Sequence, residues 1–165
     1  MVGELVTRRL VLGPWRDDDL TDYTDMVRER DQRTAAAQGE PSRDELHARI
    51  RKQQTAIADT GIGLLTLRVD RAFIGYCGLV VGRSSLDEPE LAYELLRAHH
   101  GNGYATEAAS AIVDATAETG RSRLWATVRP WNEPSLRVLD KLAFERTATV
   151  TTDEFGDVLW LTRTL

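Results

Sequence analysis

The sequence has a single cysteine, Cys77, and no long apolar run. One cysteine cannot form an intramolecular disulfide, and its isolation suits a reducing compartment. No segment approaches the ~18 consecutive apolar residues of a membrane-spanning helix, and the first residues lack the basic and apolar regions of a signal peptide. We therefore expect a cytoplasmic protein that does not contact a membrane.

The sequence also lacks an excess of positive charge, since its 21 Lys and Arg are outnumbered by 26 Asp and Glu, which gives a net charge of −5. This balance argues against a nucleic-acid-binding surface and mildly favours a cationic partner such as an amine. A chain of 165 residues can fold as about one domain without a structural metal or a disulfide. We expect one domain over residues 1–165 and no metal site.

Apolar periodicity and turn residues predict seven strands and four helices. The predicted strands are residues 5–12, 64–70, 72–81, 90–96, 124–129, 144–151 and 158–165, and the predicted helices are residues 17–30, 42–58, 104–119 and 132–142. Ser42 and Glu45 have the spacing of a capping box, whereas residues 34–41 are small and polar and predict a loop. The strand–helix–strand order over residues 90–129 implies a parallel pair in an otherwise antiparallel sheet.

Residues 99–109, His-His-Gly-Asn-Gly-Tyr-Ala-Thr-Glu-Ala-Ala, are the most informative segment. Gly101, Gly103 and Ala105 lie between a predicted strand and a predicted helix. Small residues let backbone N–H groups approach an anion, and a helix N-terminus supplies free donors and a positive dipole end. The segment predicts a phosphate or pyrophosphate site, with a simple glycine-rich turn as the alternative. The chain lacks the P-loop and dinucleotide-binding glycine patterns.

These residues resemble the GNAT superfamily of N-acetyltransferases, and within it the ribosomal-protein (RimJ/RimL-like) branch. Residues 100–105 fit the acyl-CoA motif Gln/Arg-x-x-Gly-x-Gly/Ala at every place but the first, where His100 stands. The branch pattern Glu-x-Gly-Tyr-x-Leu followed by Gly-x-Gly-x-Ala-Thr-Glu-Ala runs through residues 90–108 without a gap, with Ala92 in place of glycine. Residues 7–12 resemble the branch's opening Thr-x-Arg-Leu-x-Leu, and residues 132–144 resemble its Asn-x-x-Ser … Leu-x-x-x-Gly-Phe, with Ala143 in place of glycine.

The resemblance implies an α/β (α+β) fold with a mixed, mostly antiparallel sheet of about 6–7 strands, a splayed parallel pair and about four flanking helices. It also implies acetyl-CoA as co-substrate, its pantetheine arm between the splayed strands. A backbone N–H near Leu95 or Leu96 would polarise the thioester carbonyl. The residues expected to bind acetyl-CoA are Leu95, Leu96, His100, Gly101, Asn102, Gly103, Tyr104, Ala105, Thr106, Asn132 and Ser135.

Three residues are candidates for the chemistry. By resemblance, Ser135 hydrogen-bonds the leaving thiolate, and a solvent-facing position is its alternative. An alkylamine is almost fully protonated at neutral pH, so a base or a carboxylate must assist its attack. Glu90 and Glu94 share one face of a strand, and either could act directly or through water. Glu90 occupies the family position and is our first choice, with two solvated carboxylates as the alternative.

The other polar and aromatic residues are assigned more simply. Asn132 is expected to cap the last helix and also to contact the pantetheine amides. Trp131 is a candidate for lining the acceptor pocket. Glu107 is expected to make a structural hydrogen bond, and Cys77 to be a buried strand residue.

The predicted reaction is direct attack by a primary amine on acetyl-CoA in a ternary complex. A peptide N-terminal amine and a small-molecule amine both remain candidate acceptors, and a homodimer is left open. A non-catalytic acyl-CoA-binding module for sensing or assembly is the alternative function. That alternative is favoured if Glu90, Glu94 and Ser135 point away from the thioester.

Overall fold

The computed structural model describes residues 3–30, 33 and 39–165. Within these ranges the chain forms one eight-stranded sheet and four α-helices. The strands are β1 (Leu5–Val6), β2 (Val11–Gly13), β3 (Leu64–Val69), β4 (Ala72–Val80), β5 (Glu90–Leu95), β6 (Arg123–Val128), β7 (Glu145–Asp153) and β8 (Gly156–Thr164). The helices are α1 (Leu20–Arg28), α2 (Arg43–Thr60), α3 (Tyr104–Ala117) and α4 (Glu133–Lys141), and short 3-10 turns cover Asp17–Asp19 and Arg97–His99.

The sheet is mixed, as the sequence predicts. Its strand order is β1-β2-β3-β4-β5-β6-β8-β7, and every neighbouring pair is antiparallel except β5 and β6. The parallel pair follows from the crossover through α3, which returns the chain to the same end of the sheet.

The N-terminal segment differs from its prediction as a single strand over residues 5–12. It forms two short antiparallel strands, β1 and β2, joined by a turn in which the Thr7 N–H donates to the Leu10 carbonyl at 2.9 Å. The Leu10 N–H also donates to Thr7 Oγ1 at 3.0 Å within this turn, and Thr7 and Arg9 both bind Glu107 of α3, which stabilises the split strand. This extra hairpin is why the sheet has eight strands and not 6–7.

The local signals for α2 are confirmed. Ser42 Oγ accepts from the Glu45 N–H at 3.2 Å, and Glu45 Oε2 accepts from the Ser42 N–H at 2.6 Å, which completes the capping box. Gly61 ends the helix with φ 68°. Of the loop predicted over residues 34–41, residues 34–38 lie outside the described residues.

Three non-glycine residues have a positive φ, and each lies at a sharp reversal of the chain. Asp70 (φ 49°) and Arg71 (φ 72°) form the two-residue turn between β3 and β4, where the strand twist favours left-handed conformations. Ala143 (φ 57°) follows α4, so alanine adopts there the conformation for which glycine is the usual residue.

Two groups of buried side chains hold the helices to the sheet. One packs α3 and α4 against strands β3, β4, β5 and β6, and its fully buried members include Leu67, Ile74, Ile112 and Leu124. The other joins α1 and the first half of α2 to Trp15 and to residues of β4. Among the described helices, none is long and apolar enough to cross a membrane.

The β5–β6 pair separates soon after it begins. Glu90 pairs with Trp125, and the Trp125 N–H donates to the Pro89 carbonyl at 3.0 Å. In the described part of the chain, no later residue of β5 has a register partner on β6. The end of β5 therefore borders a gap in the sheet, and a cleft opens at this gap.

Candidate active site

A cleft of about 1200 Å³ lies where β5, α3, α4 and the C-terminal end of α1 meet. Its walls include most of the residues that the sequence nominated. Those that line it are Glu94, Leu95, His100, Gly101, Gly103, Tyr104, Ala105, Thr106, Trp131, Asn132 and Ser135. Glu90, Leu96 and Asn102 do not line it.

The end of β5 turns one edge toward the gap. The Leu96 N–H donates to the Ile74 carbonyl of β4 at 2.9 Å, so Ile74 and Leu96 form a hydrogen-bonded pair. Alternation in an antiparallel ladder then directs the N–H and C=O of Leu95 to the other side of β5, toward β6. Of the two predicted oxyanion donors, Leu96 is already engaged, and Leu95 faces the gap.

The His100 side chain binds the same end of β5. Its Nε2 lies 2.9 Å from the Leu95 carbonyl oxygen, and since a carbonyl only accepts, Nε2 carries the proton in this contact. The residue that departs from the family motif therefore fastens the loop before α3 to the strand that borders the gap.

The glycine segment leads directly into the N-terminus of α3, as the sequence predicts. Gly101 (φ 76°) and Gly103 (φ 79°) both adopt left-handed conformations that favour glycine. The first α-helical bond runs from the Glu107 N–H to the Gly103 carbonyl at 3.0 Å, so the preceding N–H groups of the first turn have no intrahelical acceptor. Such N–H groups beside the cleft can bind an anion.

Arg9 and Glu107 form a hydrogen-bonded ion pair, here called the Arg9–Glu107 clasp, that holds this helix start. Glu107 Oε1 accepts from Thr7 Oγ1 (2.6 Å) and the Arg9 N–H (2.8 Å), and Oε2 accepts from Arg9 Nε (2.7 Å). Burial opposes ionisation of Glu107, but these hydrogen bonds outweigh it and lower the pKa of the carboxyl. Arg9 also donates to the Asn102 carbonyl at 2.9 Å and stacks over Tyr104 at 4.7 Å. Glu107 has the structural role that the sequence predicts.

Asn102 stabilises the loop and does not face the cleft. Its Nδ2 donates to the carbonyls of His99 (3.3 Å) and His100 (3.2 Å). These local acceptors hold the side chain in the turn, and the predicted contact of Asn102 with acetyl-CoA, through its backbone N–H, stays a prediction.

Asn132 and Ser135 begin α4 at the cleft. Asn132 Oδ1 accepts from the Ser135 N–H at 3.3 Å, which is the predicted N-cap. Because the cap fixes the first turn of α4, Ser135 lies on its cleft-facing side.

Tyr93 is a cleft residue that the sequence reasoning missed. Its hydroxyl lies 2.8 Å from Ser135 Oγ and 3.1 Å from the Ser135 carbonyl oxygen, although 42 residues separate the two in sequence. Burial raises the pKa of Tyr93 to about 12. Two local signals could have found it: Tyr93 matches the tyrosine of the branch pattern Glu-x-Gly-Tyr-x-Leu, and its period-two spacing from Leu95 places both on the same edge.

Glu94 is held by two partners. Arg30 donates to Glu94 Oε1 through Nε (2.8 Å) and to Oε2 through a terminal nitrogen (2.7 Å), and the Tyr76 hydroxyl donates to Oε2 at 2.6 Å. Burial opposes charge on Arg30, but the hydrogen bonds and charge of Glu94 outweigh it and raise the pKa of the guanidinium. Burial also raises the pKa of Tyr76. Nothing in the local sequence indicates Arg30, since this contact spans 64 residues.

Glu90 has different surroundings and requires a correction. Its side chain is buried, Oε1 accepts from the Arg83 N–H, and Oε2 accepts from Thr127 Oγ1 at 3.0 Å. Glu90 therefore joins the loop after β4 to β6 at the closed end of the gap, and the structure does not bring it to the cleft.

Trp131 and several cations complete the walls. The Arg33 guanidinium stacks over the Trp131 ring at 3.7 Å. Among the described lining residues, seven are Arg or Lys and three are Glu. These are Arg28, Arg30, Arg33, Arg49, Arg97, Arg137 and Lys141 against Glu29, Glu40 and Glu94. The cleft is thus basic although the whole chain is acidic, because the surplus of acids lies elsewhere on the molecule.

Neither a metal centre nor a reactive thiol stands out near the cleft. Within the described ranges, no group of three or more His, Cys, Asp and Glu is placed to hold a metal ion. Cys77 is fully buried, and burial raises the pKa of its thiol.

Comparison with known proteins agrees with this geometry. The model of the family described as "Acetyltransferase (GNAT) domain" matches residues 9–145. An uncharacterized N-acetyltransferase, p20, from Bacillus licheniformis is 34% identical over 74 residues, which are 44% of this chain and 42% of the relative. The matched segments span less than half the length of the curated relatives.

Solved structures extend the similarity over almost the whole chain. An acetyltransferase from Agrobacterium tumefaciens has a TM-score of 0.81 at 25% identity, and the match covers 99% of this chain and 95% of that one. RimL, a ribosomal L7/L12 alpha-N-protein acetyltransferase in complex with coenzyme A, has a TM-score of 0.82 at 14% identity, with coverage of 98% and 97%. At that identity RimL shows a common fold. With the family match over residues 9–145, these findings show that the chain belongs to the GNAT acetyltransferase family.

Proposed function

We propose that this chain transfers an acetyl group from acetyl-CoA to a primary amine by direct attack in a ternary complex. One observation carries the proposal: the Leu95 edge of β5, the glycine-rich start of α3 and Ser135 of α4 border a single cleft. An anion site, an oxyanion donor and a hydroxyl near the leaving group are the three features that such an acyl transfer requires.

Acetyl-CoA is a co-substrate of GNAT enzymes, and the residues present fit it. Its pyrophosphate would bind the N–H groups at the start of α3, where Gly101 and Gly103 carry no side chain and adopt left-handed conformations. Its pantetheine arm would enter the gap and pair with the free edge of β5, as an added strand does.

The Leu95 N–H would polarise the thioester carbonyl. A backbone donor aimed at a developing oxyanion is worth about 2.7–4 kcal/mol in comparable acyl transfers. The bond from His100 to the Leu95 carbonyl would keep this end of β5 in place during attack.

Glu94 is the carboxylate best placed to assist the amine, because it lines the cleft and Glu90 does not. Arg30 and Tyr76 already donate three hydrogen bonds to the Glu94 carboxylate, which holds it in a fixed position. We therefore assign Glu94 to orient the amine and to accept the amine proton through a bridging water. A peptide α-amine, with a pKa near ~8, needs less of this help than an alkylamine.

The charge of the walls bears on the acceptor. The basic lining reverses the expectation drawn from net charge, because a polycation approaching this cleft would meet more Arg and Lys than Glu. Peptide N-termini and uncharged or acidic small amines therefore fit better than polyamines or aminoglycosides.

A thiol-release assay with acetyl-CoA and a panel of amines tests the proposal. The panel comprises short peptides, amino acids, small amines, polyamines and aminoglycosides. We expect release that depends on the amine, is strongest with peptide or amino-acid α-amines, and falls at least about tenfold in Ser135→Ala with a little-changed acetyl-CoA KM. Calorimetry on the same samples measures acetyl-CoA binding. Binding without amine-dependent release would favour the non-catalytic acyl-CoA module, and absence of binding would contradict both functions.

A further inference from the structure

We propose that Tyr93 is a positioning residue that directs the Ser135 hydroxyl toward the leaving sulfur. This inference rests on the proposed acetyl transfer and adds a residue to it. The single hydroxyl of Tyr93 lies within hydrogen-bond distance of two atoms of one residue, Ser135 Oγ at 2.8 Å and Ser135 O at 3.1 Å.

Ser135 is held at three atoms. Asn132 accepts from its N–H, and Tyr93 contacts its carbonyl and its hydroxyl oxygen. Tyr93 belongs to β5 and Ser135 to α4, so this contact links β5 to the helix that follows β6, beside the gap between these two strands. The hydroxyl direction of Ser135 is therefore coupled to the strand that would bind the pantetheine arm.

The two contacts define two hydrogen-bond arrangements with the same heavy-atom positions. In one, Tyr93 donates to the Ser135 carbonyl, and Ser135 donates its proton back to Tyr93. In the other, Tyr93 donates to Ser135 Oγ, and the Ser135 proton is free to point into the cleft. A negative acceptor in the cleft favours the second arrangement because charge-assisted hydrogen bonds are the stronger ones.

Cleavage of the thioester C–S bond creates such an acceptor. The electron pair of that bond stays on sulfur, Ser135 Oγ–H donates to the thiolate, and Tyr93 O–H donates to Ser135 Oγ. Neither hydroxyl loses its proton. The amine gives its first proton to Glu94 through water before attack, and the second proton on the attacking nitrogen finally makes the thiol. The arrangement strengthens as charge develops, so it should raise turnover more than acetyl-CoA affinity. Tyr93 remains a donor throughout because burial keeps its hydroxyl protonated at neutral pH.

The test is the thiol titration of bound coenzyme A, which needs no knowledge of the acceptor. Thiolate absorbance is followed against pH for coenzyme A bound to the parent, Tyr93→Phe, Ser135→Ala and the double variant. The protein's own thiol, Cys77, does not interfere, since its pKa is raised by burial. We expect the parent to lower the thiol pKa of bound coenzyme A relative to free coenzyme A, and each single variant to reverse part or all of that shift.

The double variant decides whether Tyr93 acts through Ser135. In the Ser135→Ala background, Tyr93→Phe should change neither the titration nor turnover, whereas alone it should lower kcat about tenfold with an acetyl-CoA KM within about twofold. Equal effects of Tyr93→Phe in both backgrounds, or titration curves for parent and Tyr93→Phe that coincide, would overturn the inference. Bound coenzyme A with a shifted thiol but no acetylated amine would count against the proposed function alone. Absence of coenzyme A binding would overturn both.

Discussion

Glu90 and Glu94 carry the same side chain on the same strand, and their partners make them different groups. Glu90 is enclosed by a loop N–H and the Thr127 hydroxyl, and so it fixes the closed end of the gap. Glu94 faces the cleft with Arg30 and Tyr76 as its donors. A buried carboxylate in hydrogen bonds with the protein contributes to stability, whereas one in a cleft is available to a substrate.

Substitution of each glutamate by glutamine separates these roles. Glu94→Gln should lower turnover about 100-fold with acetyl-CoA affinity unchanged, because the amine loses its proton acceptor. Glu90→Gln should mainly lower the free energy of unfolding, by about 1–3 kcal/mol, because the side-chain amide cannot replace both acceptor oxygens. Steady-state kinetics and urea unfolding of both variants measure this. A folded Glu90→Gln variant with the larger loss of turnover would return the base assignment to Glu90.

At the scale of elements, the start of α3 is held by contacts from two other parts of the chain. The loop before it binds β5 through His100, the Arg9–Glu107 clasp holds its first turn, and its N–H groups face the cleft. Two left-handed glycines form the turn that leads into this helix start.

Alanine substitution at two glycines with equal φ tests the anion site. Gly103 and Gly120 both have φ 79°, but Gly103 lies at the cleft end of α3 and Gly120 beyond its other end. Each substitution should destabilise the fold by about 1 kcal/mol through left-handed strain. Only Gly103→Ala should weaken acetyl-CoA binding, by about tenfold or more, because the strained residue lies at the start of α3 and its relaxation would displace the N–H groups there. Calorimetry and thermal unfolding measure the two effects, and equal affinities in both variants would contradict the anion site.

At the scale of the whole molecule, the N-terminal hairpin is part of the cleft's support. The contacts of Glu107 with Thr7 and Arg9 span about 100 residues of sequence and attach β1 and β2 to the cleft-forming helix. The clasp also places a negative charge in the first turn of α3, where it would repel a bound anion if Arg9 did not neutralise it.

This clasp should weaken in acid. The pKa of Glu107 is lowered from 4.5 by its hydrogen bonds in the folded state, so its contribution to stability is complete above pH 4.5 and is lost as the pH falls below that value. Glu107→Gln should be less stable than the parent at pH 7, and the difference should shrink as the pH falls from 5 to 3. Urea unfolding at a series of pH values measures it, and a difference that does not depend on pH would rule out the ion pair as the cause.

Much of the fold and part of the site could be predicted from the sequence. The capping box at Ser42, the N-cap at Asn132 and the glycines before α3 are local patterns, and local patterns restrict local backbone conformation. The parallel pair followed from the order of elements, because chain connectivity limits how strands join. The split of the first predicted strand could not be predicted, because the Glu107 side chain that binds its turn comes from a distant helix.

The sequence by itself determined the helices, the mixed sheet with its parallel pair and a glycine-rich helix start beside a strand end. Only the tertiary structure decided that Leu95 and not Leu96 faces the gap, that Glu94 and not Glu90 lines the cleft, and that Tyr93 reaches Ser135. The physical reason is the separation along the sequence between the residues that interact. Backbone conformation follows from neighbouring residues, whereas the availability of a donor or carboxylate depends on partners that packing brings from tens of residues away.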